Sequence, residues 1–316
     1  MLVAAAALLG AGALAWRAGW IGGPGAPRNV LVIAIDSQRT DRLGAYGSGR
    51  ALTPFLDELA ARSVVYEQAY APSSWTLPTV ASLFVGKYPS EHGVTRFFTA
   101  VADVETTLAE VMATHGFTTW ALTTNSAIDP DVGFGQGFER YELVGEPTMM
   151  SPKADGGLIN DKLFGWIDAD PASKETRHFV YLHYMDVHAP YRPHFVLTES
   201  RADDVERGDI DLNLRVLTGS RVEGHAKQLE TWNFSDAEVR RIAQMYDGEV
   251  RYQDGILKAL FDGLAQRGFL DNTLVIITAD HGEELGLHRT FYHGTSLFDP
   301  AIHVPLIIQD PQAAPG

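Results

Sequence analysis

The 316-residue chain has no cysteine and comparatively few basic residues. The missing thiols exclude disulfide bonds, thiolate metal sites and a cysteine nucleophile. The 25 Lys and Arg residues against 40 Asp and Glu residues give a formal net charge of −15. Because nucleic-acid-binding proteins normally present a basic face, we expect no nucleic-acid binding. Anionic substrates stay open as ligands, since a bound divalent cation reverses the sign of the local charge.

The N-terminal apolar run is shorter than a membrane span. Residues 1–16 are apolar and rich in Ala and Leu, and a Gly/Pro linker follows at 21–27. A span needs roughly 20 apolar residues, and a signal peptide normally opens with a basic region, which is missing here. We expect residues 1–28 to be a signal peptide or the remnant of a membrane anchor, plus the linker. This predicts an extracytoplasmic protein, either secreted or anchored to the membrane through residues 1–16.

From residue 29 onward, predicted strands and helices alternate along the chain. Strands are predicted at 29–36, 117–125, 178–186, 272–280 and 303–310, and helices at 53–63, 76–85, 106–116 and 235–268. This alternation is typical of an α/β fold with a mainly parallel central sheet and helices on both faces. Residues 194–234 show weak periodicity, and we expect an irregular excursion near the mouth of the site. The sequence ends soon after the last predicted strand, so we expect a further C-terminal part to cover the sheet.

Ionisable side chains follow three of the predicted strands, where the ligands of such sheets bind. They are Asp36, Asp280 with His281, and His183 with Asp186 and His188. A carboxylate beside an imidazole suits Mn²⁺, Zn²⁺ or Mg²⁺. Each residue alone also fits a structural role, because Asp36 can cap the following turn and His183 lies within its strand.

Two further histidines lie in predicted loops, where functional residues concentrate. His188 comes after the strand that ends near Asp186, and His293 precedes a glycine that lets an imidazole approach a bound anion. We interpret the remaining histidines as scaffold or surface residues: His92, His115, His178, His194, His225, His288 and His303.

The stretch 71–86, APSSWTLPTVASLFVG, places hydroxyl side chains at the start of a predicted helix: Ser73, Ser74, Thr76 and Thr79. Ser or Thr ahead of a helix caps its free N–H groups. The N-terminus of a helix also binds anions such as phosphate or sulfate. The local sequence leaves open whether one of these hydroxyls only caps the helix or attacks an anion.

Five segments, in order, resemble the sulfatase branch of the alkaline phosphatase superfamily: NVLVIAIDSQRTDRLGAYG, SSWTLPTVASLFVGKYPSEHGV, HYMDVHAPYRP, TADHGEELGLH and HGTSLFDPAIHVPLII. The resemblance covers essentially residues 29–310. It implies helices around a mixed sheet, a bound divalent metal, and hydrolysis or transfer of sulfate or phosphate esters through a covalent intermediate. Residues 29–316 would then form a sulfatase-like catalytic domain.

The same resemblance assigns roles to individual residues. The metal ligands that it implies are Asp36, Thr76, Asp280 and His281. The catalytic residues that it implies are Thr76 as nucleophile and His188 and His293, which contact the substrate anion and protonate the leaving group. We expect one cation, which is Mn²⁺, Zn²⁺, Mg²⁺ or Ca²⁺. A second cation would need Asp186, His188 and His293 as its ligands.

Departures from the family's pattern change the expected substrate. The formylglycine motif of true sulfatases needs Cys or Ser at position 76 and Arg at position 80, where this chain has Thr76 and Val80. The family's second aspartate is Ser37, and its Lys-x-His pair falls on residues 124–126. Threonine nucleophiles are used by phosphodiesterase and phosphotransferase branches of the superfamily, so we expect no formylglycine.

The main hypothesis is a divalent-metal-dependent hydrolase or transferase that acts on phosphate (di)esters through a covalent Thr76 intermediate. The alternative is a sulfuric ester hydrolase of the same fold. A second alternative is an inactive, membrane-tethered binding protein, which the intact set of implied metal ligands argues against. We assign Arg39 and Asp41, which also match the family's pattern, to loop structure.

Overall fold

The computed structural model describes residues 28–97, 99–145, 154–170, 175–192, 212–213, 215–216 and 232–312. The predicted leader or anchor therefore lies outside the described residues except for Arg28, and so does most of the predicted excursion at 194–234. Within the described ranges, no helix is both long enough and apolar enough to cross a membrane.

Most residues of the candidate site lie at or just beyond the ends of the strands. In chain order the strands are β1 (Asn29–Ile35), β2 (Val64–Val65), β3 (Ala69–Tyr70), β4 (Phe117–Thr123), β5 (Arg140–Leu143), β6 (Arg177–Tyr184), β7 (Thr273–Thr278), β8 (Glu284–Leu285), β9 (Phe291–Tyr292), β10 (His303–Val304) and β11 (Leu306–Gln309). Seven of them form one sheet in the order β2-β11-β7-β1-β6-β4-β5.

The helices surround this sheet. They are α1 (Pro54–Ala60), α2 (Thr76–Val85), α3 (Pro89–His92), α4 (Leu108–Thr114), α5 (Gly157–Ala169), α6 (Asp236–Gln266) and α7 (Asp299–Ile302). The long helix α6 begins with the expected capping box: the Glu238 N–H donates to Ser235 Oγ, and the Ser235 N–H donates to Glu238 Oε2 at 2.7 Å. Such a box satisfies N–H groups that have no partner within the helix.

The predicted α/β fold with a mainly parallel sheet is confirmed. Strands β7, β1, β6, β4 and β5 run parallel to one another, as the apolar run of each central strand indicated. The predicted strand at 303–310 is split into β10 and β11, and β11 runs antiparallel to both β7 and β2. The sheet is therefore mixed at one edge.

Alternate residues of β1 pack on opposite faces of the sheet. Leu31, Ile33 and Ile35 face a core that includes side chains of α1, α5 and α6. Val30, Val32 and Ala34 face a second core that includes α2 and α4. Burying one such Ile or Leu side chain contributes about 1.5–3 kcal/mol to folding. The two apolar faces thus fix helices on both sides, and α2 comes to lie on the second face.

The parallel register brings four chain segments to one edge of the sheet. Ala34 of β1 is level with His183 of β6 and with Thr278 of β7. Thr123 of β4 is in turn level with His183. The residues that come next in each segment therefore meet beyond the carboxyl ends of these strands, where α/β sheets bind ligands.

Candidate metal and nucleophile site

Asp36, Asp280 and His281 form a compact group of metal-ligating side chains at this edge. One ligand atom from each lies within 4.8 Å of the other two, and all three residues are buried. Asp36 directly follows β1, and its N–H donates to Tyr184 O, so the ladder continues one residue past the strand. Two buried carboxylates this close need a compensating charge, which a divalent cation supplies.

The two oxygens of Asp280 have different surroundings. Oδ1 accepts hydrogen bonds from the His281 N–H at 2.8 Å and the Ser37 N–H at 3.3 Å. Oδ2 is buried and accepts no hydrogen bond from any described residue. An orphaned buried carboxylate oxygen is costly. Asp280 Oδ2 lies 3.5 Å from His281 Nε2, so both atoms could bind the same cation.

The tautomer of His281 follows from its neighbour. Nδ1 lies 2.8 Å from the carbonyl oxygen of Gly282, which can only accept, so Nδ1 carries the proton. Nε2 then faces the oxygens of Asp36 and Asp280, each 3.5 Å away. Outer hydrogen bonds of this kind orient histidines that bind metals.

Thr76 is the first residue of α2 and faces this group. Its Oγ1 lies 3.3 Å from His281 Nε2 and 3.4 Å from Asp36 Oδ2. The helix spans Thr76–Val85, the range predicted from the sequence. Trp75, rather than Ser73 or Ser74, is the N-cap residue of α2, and its side chain makes no capping hydrogen bond. The uncapped N–H groups leave this helix end open to an anion.

The pKa values of the two carboxyl groups, Asp36 and Asp280, are shifted in opposite directions. Burial would raise the pKa of Asp36, but the nearby His188, His183 and His281 hold that pKa well below its ordinary value. Burial and the charge of Asp36 raise the pKa of Asp280. Two carboxylates with opposed shifts share one negatively charged site, and a cation between them would keep both ionised.

His188 and His293 are brought together beside the ligand group. The His293 ring lies 4.2 Å from that of His281 and 4.9 Å from that of His188, between ring centroids. His188 Nε2 lies 3.3 Å from the Tyr292 hydroxyl, and His293 Nδ1 lies 3.4 Å from Glu283 Oε1. Both imidazoles therefore lie beside His281 at the edge of the metal-ligating group.

Backbone strain accompanies two of the site residues. Ser37, directly after Asp36, has φ of 63°, and Tyr292, directly before His293, has φ of 73°. Such left-handed conformations are uncommon for residues with side chains, and strain of this kind concentrates at functional sites.

Asp186 does not join the other implied ligands. Its Oδ1 accepts a hydrogen bond from the Gly156 N–H at 3.1 Å. Among the described residues, the only group of three or more metal-ligating side chains is the one formed by Asp36, Asp280 and His281. The structure thus does not gather Asp186 with His188 and His293 into a second set of ligands.

Several side chains at the site have no role there in the sequence-based interpretation. Asn125 and His183 both contact Asp36, and Glu283 contacts His293. His183 had been interpreted as structural, although the alternation of Phe179, Tyr181 and His183 along β6 points all three at the face that carries α2. Burial raises the pKa of Glu283 well above its ordinary value. Arg39 bonds to Asp41 and to the Glu283 carbonyl, which agrees with the loop role given to it.

Comparison with known proteins identifies the family. The sulfatase family profile matches residues 28–316, so the chain belongs to the sulfatase family. It is similar to arylsulfatase K of Canis lupus familiaris, at 24% identity over 93% of this chain and 60% of that protein. It is also similar to the Delta 4,5-hexuronate-2-O-sulfatase of Bacteroides thetaiotaomicron, at 26% identity over 90% of this chain and 62% of that protein.

Solved structures share the fold. A phosphonate monoester hydrolase of Agrobacterium radiobacter matches with a TM-score of 0.66 and 20% identity, over 90% of this chain and 68% of that one. The structure of BT4656 with D-glucosamine-2-N,6-O-disulfate matches with a TM-score of 0.69 and 18% identity, over 91% of this chain and 72% of that one. The chain spans about three fifths of the length of the curated relatives. The predicted superfamily and fold are confirmed.

Proposed function

We propose that this chain hydrolyses anionic esters with the help of one divalent cation and a nucleophilic threonine. The observation that carries this proposal is the placement of Thr76 Oγ1 within 3.4 Å of both Asp36 Oδ2 and His281 Nε2. A hydroxyl, an imidazole and two carboxylates in mutual contact do not help an apolar core to pack. Metal-assisted ester cleavage requires such a set of groups.

The residues present fit a divalent cation. Asp36, Asp280 and His281 would hold it, and the orphaned Asp280 Oδ2 is the atom that most needs it. Two carboxylates and one imidazole suit Mn²⁺, Zn²⁺ or Mg²⁺. A bound cation would favour the ionised form of the Thr76 hydroxyl and stabilise negative charge on the ester oxygens.

The protein's own groups supply the remaining steps. Thr76 gives up its hydroxyl proton to solvent, and its Oγ attacks the sulfur or phosphorus atom. The bond from that atom to the ester oxygen breaks, and the leaving alcohol takes a proton from His293 or His188. The open N-terminus of α2 points N–H groups at the anion. Water then releases the anion from Thr76, and the same histidine accepts the proton of that water.

Sulfate esters are the first substrate class that we propose. The named relatives are an arylsulfatase and a hexuronate sulfatase, and the matching family is the sulfatase family. Phosphate esters are the second class, favoured by one specific observation. Position 76 is threonine in a chain without cysteine, so a formylglycine nucleophile has no precursor there, and a hydroxyl nucleophile suits transfer at phosphorus.

The deciding experiment compares turnover of p-nitrophenyl sulfate, p-nitrophenyl phosphate and bis(p-nitrophenyl) phosphate. The metal-free protein is assayed with added Mn²⁺ and again with EDTA. Hydrolysis of one ester class that depends on Mn²⁺ is the expected result and identifies the anion. If the wild-type protein bound no divalent cation and cleaved none of the three esters, the inactive binding protein would replace this proposal.

We also propose that the protein works outside the cytoplasm. The support is the apolar run at 1–16 with its Gly/Pro linker. Expression of the natural chain and fractionation into cytoplasm, membrane and exported protein tests this directly, because the proposal requires the protein to leave the cytoplasmic fraction.

A further inference from the structure

We propose that Asn125 and His183 are positioning residues that hold Asp36 by one oxygen and leave its other oxygen for the cation. This inference rests on the proposed function, since it concerns how the chain prepares the ligand set. It assigns a purpose to two buried polar side chains that come from neighbouring segments of the sheet, the end of β4 and the end of β6.

The two oxygens of Asp36 have unequal surroundings. Oδ2 accepts a hydrogen bond from Asn125 Nδ2 at 2.8 Å, lies 3.2 Å from His183 Nε2, and is reached more distantly by Thr76 Oγ1 at 3.4 Å. Oδ1 accepts from the hydroxyl of the adjacent Ser37 at 3.0 Å and lies 3.5 Å from His281 Nε2. The two shortest contacts of Oδ2 thus come from the interior side chains Asn125 and His183, whereas Oδ1 is the oxygen that lies 3.5 Å from the histidine ligand.

Asn125 can offer only its N–H₂ group to Asp36. The side-chain Oδ1 of Asn125 accepts a hydrogen bond from the Ala127 N–H at 2.8 Å. The backbone N–H of Asn125 donates to Thr123 Oγ1 at 2.9 Å. These two bonds fix the backbone and the amide at the point where the chain leaves β4. The side chain is thus a fixed donor aimed at the carboxylate and is not free to turn away.

His183 is fixed in a similar way from the other side. It is fully buried, and its Nδ1 lies 2.8 Å from the Tyr181 hydroxyl. Because a carboxylate oxygen only accepts, Nε2 carries the proton toward Asp36. The Tyr181 ring packs edge-on against Phe84 of α2, at 4.9 Å between centroids. The helix that carries Thr76 therefore helps to set the donor that orients Asp36.

This arrangement has a chemical consequence for the metal site. A carboxylate with one oxygen held by two donors binds a cation through its other oxygen, in one orientation. Asp280 shows the same division, because two backbone N–H groups hold its Oδ1 and leave Oδ2 without a partner among the described residues. Both carboxylates thus present one prepared oxygen toward His281 Nε2, and the ligands need little rearrangement on binding.

The test measures Mn²⁺ affinity by titration calorimetry on metal-free protein, with the thermal midpoint of the metal-free form as a check of folding. His183→Leu and Asn125→Ala each remove one donor. Loss of an outer hydrogen bond of this kind raises the dissociation constant by about 10- to 100-fold. His183→Gln keeps an N–H donor near the Nε2 position and should restore affinity close to that of wild type.

A matched control is available on the same strand. His178 is also fully buried in β6 but lies at the far end of the strand, beside Asp170. His178→Gln should leave Mn²⁺ affinity unchanged. Unaltered affinity in both folded donor variants would overturn the inference, and if His183→Leu failed to fold, Asn125→Ala alone decides it. Failure of the wild-type protein to bind Mn²⁺ would contradict the proposed function itself, which separates the two failures.

Discussion

Thr76 Oγ1 and His281 Nε2 lie 3.3 Å apart although 205 residues separate them in the chain. The contact joins the first turn of α2 to the end of β7. It exists because the parallel register of β7, β1 and β6 brings their carboxyl ends level, and because α2 packs its apolar side on the sheet face below. The sequence placed the Thr76 hydroxyl at the start of a helix, and the fold brings it into contact with the metal ligands.

Asp280→Asn should abolish metal binding without unfolding the protein. The substitution removes a negatively charged ligand whose Oδ2 has no hydrogen-bond partner in the described structure, so Mn²⁺ affinity should fall at least about 100-fold. The metal-free variant should be as stable as the metal-free wild type, because it no longer buries an uncompensated charge. Calorimetry and thermal melts with and without Mn²⁺ measure both effects. Asp103→Asn, at an exposed position, is the control, and equal Mn²⁺ affinity in both variants would contradict the assignment.

His293→Ala should slow cleavage most when the leaving group is a weak acid. A general acid contributes about 10²–10⁴-fold to the rate, and a good leaving group needs it least. The loss in kcat should therefore be much larger for a phenyl ester than for the p-nitrophenyl ester of the same anion. His188→Ala, measured on the same pair, shows which of the two histidines donates the proton. Equal losses on both esters for both variants would rule out proton donation by either one.

Two glycines of the α5 segment should respond in opposite directions to alanine. A Cβ at Gly156, the N-cap residue, would lie 2.4 Å from Asp186 Oδ2 and 2.7 Å from a ring carbon of Tyr184, so Gly156→Ala should destabilise the fold. A Cβ at Gly165, inside the helix, meets nothing within 4 Å. Gly165→Ala should stabilise by about 0.5–1 kcal/mol, the helical preference of Ala over Gly. Urea unfolding measures the free energy of unfolding of both variants. Equal changes in the same direction would contradict the close contact of Asp186 with Gly156.

The capping box of α6 should make stability depend on pH in the acidic range. Hydrogen bonds from the Ser235 N–H, from Arg215 and from the Ser235 hydroxyl lower the pKa of Glu238 from 4.5 to about 2. Because the unfolded chain binds this proton first as the pH falls, the stabilisation is complete above about pH 4.5 and disappears toward pH 2. Wild type should therefore exceed Glu238→Gln in free energy of unfolding at pH 7, and the gap should close on acidification. A gap that is independent of pH would contradict the pKa assignment.

The sequence predicted two kinds of element: strands that are buried on both faces of the sheet, and helices with a clear periodic pattern of apolar residues. Strands β1, β6 and β7 are continuous apolar runs, and α6 has both a capping box and a long amphipathic pattern. Helix α5 was not predicted, because it begins at glycines without a side-chain cap and so carries no start signal. The direction of β11 was not predictable either, since a short apolar run looks alike in parallel and antiparallel neighbours.

At the site, the sequence predicted residues that stand at strand ends and left out those that act across the sheet. Asp36, Asp280 and His281 follow apolar strands, so their position marked them. The bond from Asn125 to Asp36 spans 89 residues, and the contact of His183 with Asp36 spans 147, so no local pattern contains either. Both depend on strand order, with β4 beside β6 and β6 beside β1, which the spacing of the elements does not determine.

The central claim is that Thr76 is the nucleophile of a metal-dependent ester hydrolase, and one comparison tests it most directly. Turnover of the sulfate and phosphate p-nitrophenyl esters is measured with saturating Mn²⁺ for wild type, Thr76→Ser and Thr76→Ala. Thr76→Ser keeps a hydroxyl and should retain activity, whereas Thr76→Ala should lose at least about 10³-fold in kcat, as expected for removal of a nucleophile. Turnover by Thr76→Ala at the wild-type rate would contradict the account.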